Sequence, residues 1–188
     1  MIGNNNLNFP KIETDRLILK EIKVKDAASI LNIFSSEEVM KYYGQFPMKS
    51  IEEAKNLITI FDENFENNKG IRWGILLKEE NRIIGTCGYH NWNRKHSRAE
   101  IGYELSMDSW GKGYIKEALG AIIGYGYEVM NLNRIEAVVY PENKASIKSL
   151  INQGFKKEGV LEEYAFFRNV YQDLIMFSLL KKNWVKKQ

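Results

Sequence analysis

The chain has 188 residues, 44% hydrophobic, 12% aromatic and 27% charged, a balance that excludes disordered and collagen-like classes and predicts one folded core. Its 27 basic and 24 acidic residues are spread along the chain and leave a net charge of +3, which excludes the concentrated basic arm of a nucleic-acid binder. The lone Cys87 excludes an internal disulfide, and His90 and His96 lack other ligand-type neighbours at motif spacing, so no metal is expected.

The first nine residues carry asparagines where a signal peptide needs an apolar run, and no apolar stretch approaches the roughly 20 residues of a membrane span. A cytoplasmic protein is expected. Residues 16–22 suit a strand, and Asp26 is placed to cap a helix with Ala27, Ile30, Leu31 and Phe34 at helical spacing. A short helix over residues 37–43 stops at Gly44. Ser50 and Glu53 then form an S-x-x-E capping box ahead of Ile51, Ala54, Leu57, Ile58, Phe61 and Phe65.

From residue 71 the pattern turns to strands over residues 71–78, 82–92 and 98–107, joined by short polar turns, which predicts an antiparallel meander. Residues 114–130 repeat apolar side chains at helical spacing and lead into a strand at 134–140. This is a βαβ step, and its two strands should lie parallel. A helix over 143–152, a stop at Gly154 and two strands, 155–167 and 171–180, complete the chain. The basic end, Lys181, Lys182, Lys186 and Lys187 around Trp184, reads as a solvated tail.

The chemistry is concentrated in Ser109-Trp110-Gly111-Lys112-Gly113-Tyr114-Ile115, between a strand and a helix. Its glycines permit tight backbone geometry and close approach to a ligand. The helix start supplies unpaired N–H groups and the positive end of the macrodipole, and Lys112 adds charge, so a phosphate or pyrophosphate fits. Neither the Walker A pattern nor the Rossmann fingerprint is present, because Lys116 stands where the third Rossmann glycine would fall and no Lys-Ser/Thr pair follows the loop. ATP and NAD are therefore disfavoured.

Four stretches carry a resemblance that spans residues 12–184: IETDRLILKEI (12–22), AEIGYELS (99–106), WGKGYIKEAL (110–119) and NRIEAVVYPENKASIKSLINQGFKKEG (133–159). In this order they resemble the GNAT superfamily of N-acetyltransferases, in the branch that holds bacterial ribosomal-protein alanine and serine N-terminal acetyltransferases. The resemblance implies one GNAT domain over residues 1–188, an α/β fold whose mixed, mostly antiparallel sheet contains a splayed parallel strand pair, with flanking helices. It implies acetyl-CoA as cosubstrate, direct transfer to a protein N-terminus, and a monomer or homodimer. A small amine acceptor such as a polyamine, amino acid or antibiotic is the alternative, and a non-catalytic CoA-binding module is a further one. The family's loop, Q/R-x-x-G-x-G/A, falls on residues 110–115, where Gly113 matches while Trp110 and Ile115 depart from it. Binding should then run through the main chain of Trp110, Gly111, Lys112, Gly113, Tyr114 and Ile115.

Acetylation of an amine needs the neutral nucleophile, whereas an α-amino group titrates at about 8 and a lysine at about 10.4. A proton acceptor, donors facing the oxygen of the tetrahedral intermediate, and a proton for the departing thiolate are required. Glu100 and Glu104 lie four apart in a strand, so alternation puts them on one face. Glu100 is the preferred proton acceptor, through water, with Glu104 second. The resemblance implies that pantetheine lies along Glu104, Leu105 and Ser106, with an N–H near Leu105 as donor to the thioester oxygen. Asn143 suits a helix cap, and the resemblance adds a contact to the pantetheine arm and a place for Ser146 at the CoA sulfur.

Tyr140 ranks below Ser146 as the acid, Cys87 reads as a packing residue, and His90 and His96 as rim groups. Among Tyr42, Tyr43, Trp73, Trp92 and Tyr164, the sequence favours Trp92 and Tyr164 for an acceptor pocket, because they stand near loops.

Overall fold

A computed structural model describes residues 8–184. Among these, eight strands form one sheet in the order β1-β2-β3-β4-β5-β6-β8-β7. The strands are β1 (Ile12–Glu13), β2 (Leu17–Lys20), β3 (Ile71–Leu77), β4 (Arg82–Asn93), β5 (Arg98–Leu105), β6 (Arg134–Val139), β7 (Lys156–Phe167) and β8 (Val170–Leu180). The helices are α1 (Ala27–Phe34), α2 (Glu37–Met40), α3 (Ile51–Glu66), α4 (Tyr114–Glu128) and α5 (Lys144–Asn152). Every strand pairing is antiparallel except β5 with β6. The α/β class, the meander and the parallel βαβ step are as the sequence predicts.

A β-bulge at Ile84, where Ile75 and Leu76 of β3 pair with Gly85 and Ile83, shifts the alternation of β4 so that neighbouring isoleucines serve opposite faces of the sheet. Ile84, Cys87 and Tyr89 join the larger core, into which α4 sends Tyr114, Ala118, Leu119, Ile122, Ile123 and Tyr127. Ile83 joins a second cluster with Ile30, Ile33 and Phe34 of α1 and with Ala54 and Ile58 of α3. The sheet is therefore covered on both faces, with α4 on one side and α1 and α3 on the other. Tyr89 and Tyr127 lie in this core with their hydroxyls donating to the carbonyls of Ile122 and Leu179, at 2.7 and 2.6 Å, so neither buried oxygen is left unpaired.

Local signals act as expected at α3, where the Glu53 N–H donates to Ser50 Oγ at 3.3 Å and the Glu53 carboxylate reaches back to the Lys49 N–H at 3.2 Å. Asp26 behaves differently. Its carboxylate makes no cap bond to α1 and instead accepts from the Lys23 N–H and from Lys20 Nζ, at 2.9 and 2.8 Å. A 3-10 turn over Val24–Asp26 thus precedes the helix, and a lysine from β2 outcompetes the helix amides for this carboxylate. Of the tail, Lys186 and Lys187 lie outside the described residues, while Trp184 stacks on Tyr127 with ring centroids 5.2 Å apart.

Candidate active site

The parallel pair closes only at one end. β5 and β6 are in register at Arg98 with Arg134, Ala99 with Ile135 and Glu100 with Glu136. Beyond Glu100, β5 continues to Leu105 and β6 to Val139, and the strands diverge. The N–H of Ser106 donates to the Ile84 carbonyl at 2.8 Å, in line with the pairing of Glu104 with Thr86. Alternation therefore points the backbone of Glu104 and Ser106 toward β4, and that of Leu105 into the gap. The Leu105 carbonyl accepts the indole N–H of Trp110 there, at 2.9 Å.

Two cavities open from this gap. One, of about 710 Å³, is lined by Leu105, Trp110, Gly111, Gly113, Tyr114 and Ile115 and by the start of α5. Its charged rim holds Lys41, Lys116, Lys144 and Lys148 against Glu38 and Glu142. The other, of about 440 Å³, is lined by Arg72, His90, Glu100, Tyr140 and their neighbours. Tyr42, Tyr43, Tyr103, Glu104, Asn143 and Ser146 line both cavities, and they mark where the two meet.

Gly111 and Gly113 both lie in the left-handed region, at φ +74° and +82°, and Gly113 is the N-cap of α4. The first bond of the helix is Glu117 N–H to the Gly113 carbonyl, 3.2 Å, so the amides of Tyr114, Ile115 and Lys116 precede the helical ladder, and all three residues line the larger cavity. The loop is braced from behind by Arg16, a residue the sequence reading passed over. Its guanidinium donates to the Lys112 carbonyl at 2.9 Å and to Glu117 at 2.7 Å, and its backbone N–H also reaches Glu117, at 2.8 Å.

On the smaller cavity the two glutamates share one face, as alternation predicts, but have different partners. Glu104 accepts from the Thr86 hydroxyl at 2.7 Å and from Arg72, whose Nε also donates to Thr86 at 2.9 Å. Both charged side chains are about nine-tenths buried, at 10% and 8% exposure. Burial works against the charge of Arg72, yet Glu104 outweighs it and the guanidinium titrates above its ordinary value. Gly102 makes room for this pair: a Cβ there would stand 2.9 Å from Arg72 Nη1 and 3.3 Å from the His90 ring.

Glu100 is more open. His90 Nε2 lies 3.2 Å from one of its oxygens and Asn91 Nδ2 donates to the other at 3.1 Å. Burial pushes its carboxyl up, but the hydrogen bonds from His90 and Asn91 and the charges of His90 and Arg98 outweigh this and hold it below the usual carboxylate range.

Asn143 caps α5 through Oδ1, which accepts the Ser146 N–H at 3.1 Å. The Ser146 hydroxyl lies 2.8 Å from the hydroxyl of Tyr103, a second residue the sequence reading missed. Burial, reinforced by Glu104 and opposed by the Ser146 hydrogen bond, pushes the Tyr103 phenol up to about 12. Tyr140 lines only the smaller of these cavities and packs beside Tyr42.

Ser106 is engaged within the chain: its N–H goes to Ile84, its hydroxyl to Asp108 at 2.6 Å, and its carbonyl accepts from Ser109 at 3.0 Å. The serine knits the turn and turns away from the gap. The favoured aromatics are displaced. Trp92 packs against the core with Arg94 over its ring, Tyr164 is 60% exposed on the β7–β8 hairpin, and Trp73 is fully buried, whereas Tyr42 and Tyr43 reach the cavities. Cys87 is buried, which pushes its thiol up to about 12. No group of three or more His, Cys, Asp or Glu side chains placed to hold a metal occurs among the described residues, and among them no helix is long and apolar enough to cross a membrane.

Residues 16–156 match the model of the acetyltransferase (GNAT) domain family. The N-acetyltransferase YoaA of Bacillus subtilis is 42% identical over 173 residues, covering 92% of this chain and 98% of the relative. The [ribosomal protein uS5]-alanine N-acetyltransferase of Escherichia coli is 25% identical over 189 residues, covering 94% and 95%. Among solved structures, the ribosomal-protein-S5-alanine acetyltransferase of Vibrio fischeri superposes with a TM-score of 0.78 at 28% identity, covering 94% of this chain and 99% of that one. A sheet split at its parallel pair, a glycine loop at one mouth of the split and a family match over most of the length converge: the chain belongs to the GNAT family and is an N-acetyltransferase.

Proposed function

We propose that residues 12–184 form one catalytic domain that transfers the acetyl group of acetyl-CoA to the N-terminal amino group of a protein. The observation that carries this reading is the meeting of two unlike cavities at the β5–β6 gap. The larger has a lysine-bearing rim and the amides of residues 113–116, which suit a polyanionic cosubstrate. Acetyl-CoA, when bound, supplies an activated acyl group on a thiol leaving group. Asn143 and Leu105 flank the path between the cavities, and the Leu105 N–H is aimed to donate to an acyl oxygen in the gap.

The smaller cavity supports the acceptor class. Its charged lining residues among those described are Arg72, His90, Glu100 and Glu104, and they pair off as Arg72 with Glu104 and His90 with Glu100. With Glu104 taken up by Arg72, such a lining leaves one carboxylate, Glu100, for an incoming ammonium, none for the further ammonium groups of a polyamine, and no free arginine for the carboxylate of an amino acid. It suits an amine whose neighbours are neutral, as at a peptide N-terminus. The E. coli and V. fischeri relatives, named for acetylating alanine of a ribosomal protein, point the same way.

In this reading Glu100 attracts the acceptor ammonium and takes its proton through water, and His90, 46% exposed, passes it to solvent. The Ser146–Tyr103 hydroxyl pair lies where a departing thiolate would be protonated, and burial keeps Tyr103 in its proton-bearing form at neutral pH. Thiol release from acetyl-CoA, followed with peptides beginning in Ala or Ser and with spermidine, free amino acids and aminoglycosides, tests the assignment. Peptides should be turned over at least about tenfold better in kcat/KM, and Glu100→Gln should lower kcat by about a hundredfold. Preference for spermidine would overturn the acceptor class, and CoA binding without thiol release from any acceptor would overturn the enzymatic reading.

A further inference from the structure

We propose that Arg16 is a positioning residue for the pyrophosphate-binding loop: from the turn before β2 it fixes the Lys112–Gly113 peptide so that the Gly113 N–H faces the larger cavity. The inference rests on the proposal that this loop holds the diphosphate of acetyl-CoA.

The loop needs an external restraint. Gly111 and Gly113 have no side chains to anchor them and occupy left-handed backbone at φ +74° and +82°, where glycine's freedom is greatest. A Cβ on Gly111 would meet nothing within 4 Å, and one on Gly113 only Arg16 Nη2, at 3.5 Å. The Cβ directions of the two glycines are therefore open, and Arg16 is the side chain that approaches at Gly113. The guanidinium holds the Lys112 carbonyl at 2.9 Å. The described chain has no cis peptide bond, and across a trans peptide the C=O and the following N–H point in opposite directions. Drawing the Lys112 carbonyl back toward Arg16 thus turns the Gly113 N–H the other way, toward the cavity that Gly113 lines.

The fork is itself held in place. Arg16 Nε donates to Glu117 Oε2 at 2.7 Å, and Glu117 Oε1 accepts the Arg16 N–H at 2.8 Å and the Thr14 hydroxyl at 2.6 Å. The guanidinium also lies over the ring of Tyr114, 4.7 Å from its centroid. Glu117 stands on the first turn of α4, so one side chain couples the loop carbonyl, the helix start and the β2 arm, which lie about a hundred residues apart in sequence. A planar donor with two edges can do this; an ammonium, a single point of charge, reaches the carbonyl or the carboxylate but not both.

The test compares the whole protein with Arg16→Ala, Arg16→Lys, Glu117→Gln and Gly113→Ala. Calorimetric titration with CoA should show affinity about tenfold weaker for Arg16→Ala, as expected for loss of a charge-assisted bond that orients the binding amide. Arg16→Lys should recover only part of it, and Glu117→Gln, which leaves Arg16 without its charged anchor, should weaken binding by about threefold. Kinetically, KM for acetyl-CoA should rise with kcat unchanged, while kcat/KM for S-acetylpantetheine, which lacks the diphosphate, should stay within about twofold. An equal loss with S-acetylpantetheine would reveal a general structural effect and overturn the proposal. So would unchanged CoA affinity in a folded Arg16→Ala protein, or in Glu117→Gln if the alanine variant does not fold. Gly113→Ala separates the two levels: if it weakens CoA binding and Arg16→Ala does not, only the positioning role fails, whereas if neither does, the loop is not the diphosphate site.

Discussion

A buried charge whose partner is deleted costs more than the pair contributes when intact, because the survivor has lost its water and gained nothing. Arg72 and Glu104 are in this position, joined from β3 and β5 across the Thr86 hydroxyl of β4. Arg72→Met should therefore destabilise the protein by about 3–5 kcal/mol in denaturant unfolding. The Arg72→Met, Glu104→Gln double variant should regain much of that loss, since the buried charge goes with its partner. A double variant no more stable than Arg72→Met would contradict this account. At this scale alternation placed Glu100 and Glu104 on one face, and the structure agrees. It gave no reason for the two to differ. Their partners, Arg72 in one case and His90 with Asn91 in the other, come from other parts of the sheet, and nothing in the spacing of residues 98–105 encodes them.

At the scale of elements, the strand end of the sheet is stapled by charge. Arg134 on β6 meets Glu158 on β7 in a two-pronged pair, at 2.7 and 2.5 Å, and Ser178 on β8 donates to the same carboxylate at 2.6 Å. The Arg134 hydrogen bonds, then that from Ser178, hold the Glu158 carboxyl down at about 2, against 4.5 for an ordinary glutamate. A carboxylate depressed in the folded state favours folding fully above its unfolded pKa, and this contribution fades as pH falls toward the folded value. Stability should therefore drop between about pH 4.5 and about 2, and Glu158→Gln should flatten that part of the profile when unfolding is followed by circular dichroism. A variant with an undiminished slope would assign the acid sensitivity elsewhere. The elements themselves were readable because their signals are local: the Ser50 cap, the glycine before α4 and the strand alternation each act within a few residues. Asp26 was misread because a nonlocal partner, Lys20, competes for it.

For the whole molecule, the larger core is continuous from β2 to β8 and encloses Cys87. With its thiol pushed up to about 12 by burial, Cys87 has neither access nor thiolate with which to react. Labelling by a thiol reagent should accordingly be slower in the native protein than in denaturant by at least about a thousandfold, and should follow global unfolding. Rapid labelling under native conditions would mean that β4 opens locally.

Much of this protein was set by the order of residues alone: the alternation of β3–β5, the helical spacing of α4 and the Gly-Lys-Gly turn between them specify a βαβ step with a glycine loop at the helix start, and the motif order specifies the family. Short-range sterics and periodic burial govern those features, and both are written within windows of a few residues. Only the tertiary structure decided that β5 and β6 part after Glu100, that Tyr103 meets Ser146, that Arg72 engages Glu104, and that Arg16 braces the loop from about a hundred residues away. Those contacts depend on strand order and on how far two strands diverge, and these are settled by packing the whole sheet between its helices.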